Sequence, residues 1–329
     1  LLDAGPFGTS HGHEDCLSLN LSAYGRRALI DCGPYNYEDN HPYRLYSTAS
    51  HGKTIPLIDD LDQNRKSALV GRNNTDIRVG ELVAPAPHTW DHATPVVWRT
   101  SPRYDYAAGT YGAHPDEVWG SKKLRPALAT RHVFFLKPDV WVVIDAFRPL
   151  DDQPHTYSGL FQCAADEALI DPATQRVTLQ LLPGQFDPID RVVVSQLQPS
   201  LTITPLAVPG LKLTVTKGQD TPSIAGWMFE KNTPWLRHAI PTARYDLPAT
   251  SGEVFLAYAL AAAPADAAPR TPTLTAVATT PDTFGVRLSF GDPASEHTLL
   301  IARDGNTLTW EGRTQSEPAL VVGPDGPLV

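Results

Sequence analysis

Proline and glycine interrupt this chain so often that long helices are excluded over most of its length. The sequence has 31 prolines and 23 glycines among its 329 residues. Both residues break regular elements and mark turns. Between the turns, apolar and polar residues alternate with a period of two, which is typical of strands. The sequence therefore predicts an all-β chain, with helix limited to short stretches such as residues 61–69.

Two hairpins are the clearest local predictions. Leu17, Leu19 and Leu21 alternate with polar residues, a turn follows at residues 24–26, and the apolar run ALIDCG comes next. The run RHVFFLKPDVWVVIDAF, residues 131–147, has turn residues at its centre and strand-forming residues on both sides. Consecutive antiparallel strands of this kind favour two sheets packed face to face.

The strand pattern continues almost to the end of the chain. A stretch rich in alanine and proline, AAAPADAAPRTP at residues 261–272, reads as a linker or an exposed crossover, and three or four short strands follow it. We predict a large antiparallel β-sandwich followed by a small C-terminal β-sheet domain. Residues 1–245 are assigned to the sandwich and residues 246–329 to the small domain.

Charge and hydropathy exclude two classes of partner. The net charge is −9, and no basic stripe with interleaved aromatic residues is present, so we expect no binding of nucleic acid. No run approaches the about 18 apolar residues that a membrane-spanning helix needs, so we expect no membrane insertion. The opening residues, LLDAGPFGTS, read as a strand end followed by a loop, and they predict that the chain begins inside a fold.

The motif SHGHEDCLSL, residues 10–19, is the first candidate site. In an extended chain His11, His13 and Asp15 project from one face, and the hairpin that follows brings Asp31 alongside them. His51 comes shortly afterwards. Histidine and carboxylate together suit zinc. The alternative is that the histidines are merely paired with carboxylates at a sheet edge.

Four tyrosines lie between Asp31 and His51. Such a cluster can serve amphipathic packing, a sugar-binding platform, or proton transfer. Arg44 and Arg131 are candidates to hold a carboxylate or sulfate through a bidentate fork, although structural pairing is the stronger interpretation for Arg131. The four tyrosines are Tyr35, Tyr37, Tyr43 and Tyr46.

Four blocks of the sequence resemble the heparinase II/III-like polysaccharide lyases, which include heparin and heparan lyases and oligoalginate lyases. They are GPFGTSHGHEDCLSLNLSAYGRRALIDCGPYNY, YRLYSTASHGKT, RHVFFLKPDVWVVIDAF and GWMFEK, within residues 1 to about 260. The resemblance implies the β-sandwich and C-terminal part of such an enzyme. In this family an N-terminal (α/α) toroid precedes the sandwich, the active site lies in the cleft between them, and the toroid is absent from this chain.

The resemblance also implies roles for individual residues. His13, Asp31 and His51 would bind Zn²⁺, in a structural role that fixes the tyrosine loop. His11 would face the substrate and neutralise its uronate carboxylate. A tyrosine of the loop would be catalytic, with Tyr37 the first choice and Tyr43 the second. Two departures from the family pattern are Gly52, where asparagine is usual, and Gln162, where histidine is frequent.

The function implied is cleavage of a uronic-acid-containing polysaccharide, of the heparin, heparan sulfate or alginate type, by β-elimination to unsaturated uronate products. The alternative is a non-catalytic carbohydrate-binding or structural sandwich of such an enzyme. A zinc hydrolase is a third interpretation, for which Glu14 is the nearest candidate base. The expected partners are an anionic saccharide and the toroid domain, a homo-oligomer stays open, and the expected location is periplasmic or secreted.

Overall fold

The computed structural model describes residues 1–5, 12–38, 40–63, 96–111, 127–182, 198–230, 233–277 and 280–328. Strands dominate these residues. One α-helix, α1, spans Pro42–Thr48, and single 3-10 turns span Ser50–Gly52 and Pro293–Ser295. The strands are β1 Leu2–Asp3, β2 Ser18–Leu19, β3 Leu21–Ala23, β4 Arg26–Leu29, β5 Pro56–Ile58, β6 Val97–Thr100, β7 Tyr104–Tyr111, β8 Ala127–Leu136, β9 Val140–Pro149, β10 His155–Gln162, β11 Ala165–Asp171, β12 Arg176–Leu181, β13 Ser200–Pro205, β14 Lys212–Lys217, β15 Trp227–Glu230, β16 Thr233–Ala239, β17 Pro241–Thr250, β18 Val254–Ala263, β19 Thr273–Ala276, β20 Thr283–Ser289, β21 His297–Ala302, β22 Leu308–Trp310, β23 Arg313–Gln315, β24 Ala319–Gly323 and β25 Gly326–Pro327.

Two antiparallel sheets form the sandwich. One has four strands in the order β14-β17-β10-β5, and the other has eight in the order β11-β12-β13-β18-β9-β8-β7-β6. Their facing side chains build the largest buried apolar cluster, which includes Phe147, Phe161 and Tyr258. The predicted all-β sandwich is confirmed, as are the hairpins β3-β4 and β8-β9.

A third layer covers the outer face of the eight-stranded sheet. It is the five-stranded sheet β19-β20-β21-β24-β25, and it shares a second buried cluster with β8, β9 and β18. Strand β9 is consequently buried on both faces, because Val143 and Phe147 point into the sandwich while Val142 and Ile144 point toward the third layer. This explains the nearly continuous apolar run in a strand that would otherwise alternate.

The change from the large sheets to the small one falls between Ala263 and Thr273. The expected boundary at residues 245 and 246 lies inside β17, which pairs with β10 and β14 of the four-stranded sheet. Strand β18 pairs with β9 in the eight-stranded sheet. The alanine-rich end of β18 is therefore sandwich core, because small side chains there pack closely between two layers.

Helix α1 begins within the tyrosine-rich segment, so Tyr43 and Tyr46 lie in the helix and Tyr35 and Tyr37 lie in the loop before it. Pro42 occupies the first turn, where its missing N–H costs nothing, and His41 caps the helix by accepting a hydrogen bond from the Tyr43 N–H at 3.3 Å. Most of the short helix expected near residues 61–69 lies outside the described residues, and residues 61–63 are not helical. Within the described residues, no helix is long and apolar enough to cross a membrane.

Candidate functional site

The β3-β4 hairpin brings Asp31 back beside His13. The chain reverses at Tyr24 and Gly25, which adopt positive φ angles of 50° and 73°. Asn20 then accepts a hydrogen bond from the Asp31 N–H at 3.0 Å, and this fixes the end of the returning segment. His13 Nδ1 lies 3.9 Å from Asp31 Oδ2, so these two predicted residues do share one site.

A residue that sequence reasoning did not select lies between them. Lys53 is completely buried, and its Nζ donates hydrogen bonds to Asp31 Oδ2 at 2.7 Å, to Ser47 O at 2.7 Å and to His13 Nδ1 at 3.1 Å. Burial alone would raise the pKa of Asp31, but the charge and hydrogen bond of Lys53, together with nearby His13, lower that pKa well below its usual range. Burial alone would lower the pKa of Lys53, and the Asp31 carboxylate reverses this and raises it.

His51 is engaged elsewhere. Its Nε2 lies 3.0 Å from Asp60 Oδ1 and its Nδ1 lies 3.2 Å from Asp62 Oδ1. Burial opposes protonation of this ring, but its hydrogen bonds to the two carboxylates outweigh that effect and raise the pKa of His51 to about 9. The hydrogen bond with His51 in turn lowers the pKa of Asp60 to about 2. These contacts describe an imidazolium held by two carboxylates.

The residues expected to bind zinc therefore do not converge as a three-ligand set. Among the described residues, the group of three potential ligands within 4.8 Å of one another is His13, Asp15 and Asp31, without His51. A zinc ion needs lone pairs at about 2 Å. The ammonium of Lys53 takes the single lone pair of His13 Nδ1 and one lone pair of Asp31 Oδ2, and His51 is held by other partners, so this arrangement does not fit the expected three-ligand ion. Metal analysis of the protein tests whether Zn²⁺ binds here.

A cleft of about 490 Å³ opens beside this group. Its wall carries two arginines, His13 and one tyrosine, while Lys53 compensates the charge of the one carboxylate that lines it. The cleft is thus suited to an anionic ligand. It is lined by His13, Asn20, Ser22, Arg27, Leu29, Ile30, Asp31, Gly33, Pro34, Tyr37 and Arg44.

Arg44 and Tyr37 form the outer wall of the cleft. The Arg44 guanidinium carbon lies 5.3 Å from the centre of the Tyr37 ring, a cation–π contact that orients both side chains. Tyr37 is 74% exposed, whereas Arg44 is only 9% exposed. Arg44 Nε is buried and has no hydrogen-bond partner among the described residues. Since a buried N–H without a partner is costly, this guanidinium is poised for an additional acceptor.

The other three tyrosines of this segment serve packing. The Tyr43 hydroxyl donates to Asp220 Oδ1 at 2.7 Å, and the Arg237 guanidinium lies 4.4 Å from the Tyr43 ring centre. Tyr35 stacks on His41 with a centroid distance of 4.6 Å. Tyr46 is buried, and burial raises the pKa of its hydroxyl well above the ordinary value. Of the two predicted catalytic tyrosines, only Tyr37 lines the cleft.

The two residues that depart from the family pattern, Gly52 and Gln162, both position the loop that carries His51. A Cβ at Gly52 would lie 2.7 Å from both Cys32 Sγ and the Tyr46 carbonyl oxygen, so only glycine fits there. Gln162 Nε2 donates to the His51 carbonyl at 2.8 Å, and its Oε1 accepts from Thr242 at 2.7 Å. Gln162 therefore anchors the loop to the four-stranded sheet.

Two other predicted residues have different outcomes. His11 lies outside the described residues. Arg131 is fully buried and pairs with Asp145, so it does not face a ligand.

Arg27, on the β3-β4 hairpin, was missed because a single arginine near a turn resembles an ordinary surface charge. The only available signal was its position beside the histidine motif.

The comparisons with known proteins gave one family model and several similar solved structures. The family model described as "Heparinase II/III-like, C-terminal" matches residues 1–234. Heparan sulfate lyase HepC from Pedobacter heparinus is similar in structure, with a TM-score of 0.60 and 15% identity over 98% of this chain and 39% of that one. A heparinase III, the BT4657 gene product, has a TM-score of 0.63 and 11% identity over 92% of this chain and 38% of that one.

These matches cover only part of the solved structures. The chain spans about two fifths of the length of the solved structures that it matches. At these identities the structural similarity shows the fold. No curated protein matches the sequence.

Proposed function

Because this chain belongs to the heparinase II/III-like family, matching its C-terminal domain model over residues 1–234, we propose that it is the sandwich part of a polysaccharide lyase. The substrate is a uronic-acid-containing polysaccharide, and the reaction is β-elimination that leaves an unsaturated uronate. The observation that carries the proposal is the cleft in which Arg44, Arg27, His13 and Tyr37 meet. Its cationic lining supports a carboxylate-bearing ligand.

The chemistry requires a neutralised carboxylate. A lyase removes the C5 proton of the uronate, and that proton is very weakly acidic while the adjacent carboxylate keeps its full charge. Donors aimed at the carboxylate stabilise the enolate-like charge that develops, which is usually the largest contribution to catalysis. Arg44 offers a guanidinium with a buried Nε that lacks a partner among the described residues, and it is our first choice for this role. Arg27 lies on the same wall.

Proton transfer is assigned to Tyr37. A phenol within hydrogen-bond reach of the reacting carbon can act as base toward C5 and as acid toward the departing sugar oxygen. The exposure of Tyr37 on the cleft and the orienting contact with Arg44 support this role. Tyr43 is the weaker candidate, because its hydroxyl is committed to Asp220. His11 keeps its proposed role facing the uronate.

The remainder of the active site is proposed to come from an N-terminal α/α toroid of the same protein, with the substrate held between the two parts. The names of the similar structures make heparan sulfate the first substrate to test, with alginate as the second. A periplasmic or secreted location fits a polymer substrate. No step of the proposed reaction uses a metal ion.

The test is the formation of ultraviolet-absorbing unsaturated uronate by the full-length protein from heparan sulfate, hyaluronan or alginate. We expect one of these polymers to give the signal, Tyr37→Phe to abolish it with unchanged thermal stability, and Tyr43→Phe to retain it. If glycan binding is present but no polymer gives the signal, the alternative of a non-catalytic carbohydrate-binding sandwich replaces this proposal. Normal turnover of Tyr37→Phe would remove the role of that residue.

A further inference from the structure

We propose that the ammonium of Lys53 is the resident cation of this site. It occupies the position that a metal ion would take, and it keeps the proton of the neutral His13 ring on Nε2. Each of the three ammonium protons has an acceptor, namely Asp31 Oδ2, Ser47 O and His13 Nδ1. A lysine buried completely is rare unless its charge is paired and its donors are satisfied. The surroundings of Lys53 meet both conditions.

A metal ion and this ammonium exclude each other. His13 Nδ1 and Asp31 Oδ2 are 3.9 Å apart, so an ion bound to both at about 2 Å would lie near the midpoint between them. The ammonium is within 3.1 Å of both atoms and would be in direct contact with that ion. Two cations do not share such a position, and the side chain of Lys53 is completely buried there.

The neighbouring charges favour a resident cation. The carboxylates of Asp15 and Asp31 both lie within the same small group as His13. Without a positive charge between them, two carboxylates at this separation would repel each other. Lys53 supplies this charge from within the chain, and its bond to the Ser47 carbonyl also ties α1 to the site.

The same contact determines which nitrogen of His13 carries the proton. An ammonium has donors only, so His13 Nδ1 must be the acceptor in their hydrogen bond. The neutral ring then carries its hydrogen on Nε2. His13 lines the cleft, and Nε2–H is the donor that this neutral ring can offer to an anionic oxygen. Lys53 is thus a positioning residue for His13, and this inference does not depend on the proposed reaction.

The first test is metal analysis of the full-length protein after exposure to Zn²⁺ and removal of the excess. We expect no stoichiometric zinc at this site, and no change in Tm on adding EDTA or Zn²⁺. Stoichiometric zinc that is lost in Asp31→Ala and His13→Ala would overturn the proposal. Lys53→Met should lower Tm far more than Lys137→Met, a control that breaks a partly exposed pair with Asp105 at 2.8 Å. Equal effects would also overturn it.

The second test reads the position of the His13 proton by nitrogen NMR of histidine-labelled protein. The signals of His13 are identified by their loss in His13→Gln. We expect the Nε2–H tautomer in the wild type, unchanged by Zn²⁺, and loss of this preference in Lys53→Met. An Nδ1–H tautomer in the wild type, or a shift of the His13 signals on adding Zn²⁺, would contradict the proposal. A merely structural lysine would not move the tautomer.

Discussion

Arg131 and Asp145 form a completely buried ion pair on neighbouring strands of the eight-stranded sheet. Arg131 Nε lies 2.7 Å from Asp145 Oδ1, and a second guanidinium nitrogen lies 2.8 Å from Oδ2. The remaining nitrogen donates to the carbonyls of Leu17 at 3.0 Å and Thr54 at 2.8 Å. One guanidinium thereby connects the sandwich core to the segments that carry His13 and Lys53.

Breaking this pair should destabilise the whole sandwich. Arg131→Met leaves a buried carboxylate without its partner, and removing one member of such a pair costs about 3–5 kcal/mol. Arg176→Met is the matched control, because its pair with Asp171 at 2.9 Å is partly exposed and should contribute little. Chemical denaturation of both variants measures the difference. A similar loss of unfolding free energy in the two variants would contradict the structural role of Arg131.

The hairpins, the sandwich and the proximity of His13 to Asp31 could be predicted from the sequence. Alternation at Leu19 and Leu21 and the turn residues after them determine the local register, and that register carries Asp31 back toward the histidine motif. The expected strand position of Leu17 is wrong, because this residue lies in a turn with a φ of 71°. These are short-range features. Residues that are neighbours across one hairpin can be predicted without knowledge of the remaining chain.

Lys53 could not be predicted in the same way. Lysine is almost always exposed, and no local pattern distinguishes one whose head binds groups that lie 6, 22 and 40 residues away in the chain. The separation of His51 from the site depends likewise on Asp60 and Asp62, which the sequence presents as an ordinary solvated turn. Nor does a linear pattern reveal that a third layer covers β9 and β18.

The pH dependence of stability should carry a contribution from His51. The pKa of this ring in the folded protein is about 9, above the ordinary value of 6.5, because Asp60 and Asp62 favour the charged form. Its contribution is therefore fully present below about pH 6.5 and is lost as the pH rises through about 9. His51→Gln should flatten the stability profile in this window, measured by denaturation at a series of pH values.

The control for this experiment is His297→Gln. The His297 ring lies 2.9 Å from the backbone carbonyl of Ser295, away from the site. This variant should keep the wild-type profile between about pH 6.5 and 9. If His51→Gln also keeps that profile, the contacts of His51 with the two aspartates do not contribute as described.

Arg44 should control the affinity for an anionic substrate. Arg44→Gln removes a charged donor from the cleft, and a hydrogen bond to a charged group contributes about 1.5–3 kcal/mol, so kcat/KM should fall roughly 10- to 100-fold. Arg44→Lys should be intermediate, because it keeps the charge without the planar fork. Arg237→Gln is the control, since Arg237 lies on the rings of Tyr43 and Trp227. Equal kinetics for Arg44→Gln and Arg237→Gln would remove Arg44 from the substrate site.

The most direct test of the proposed function is product analysis by mass spectrometry after digestion of a uronate polysaccharide in water that carries a heavy oxygen isotope. β-Elimination forms a double bond in the uronate and expels the next sugar with its own oxygen, so water contributes no oxygen to either product, provided that the new reducing ends are reduced chemically at once, before their anomeric oxygens exchange with the solvent. We predict unsaturated products without the isotope. Saturated products that carry it would identify a hydrolase and contradict the account.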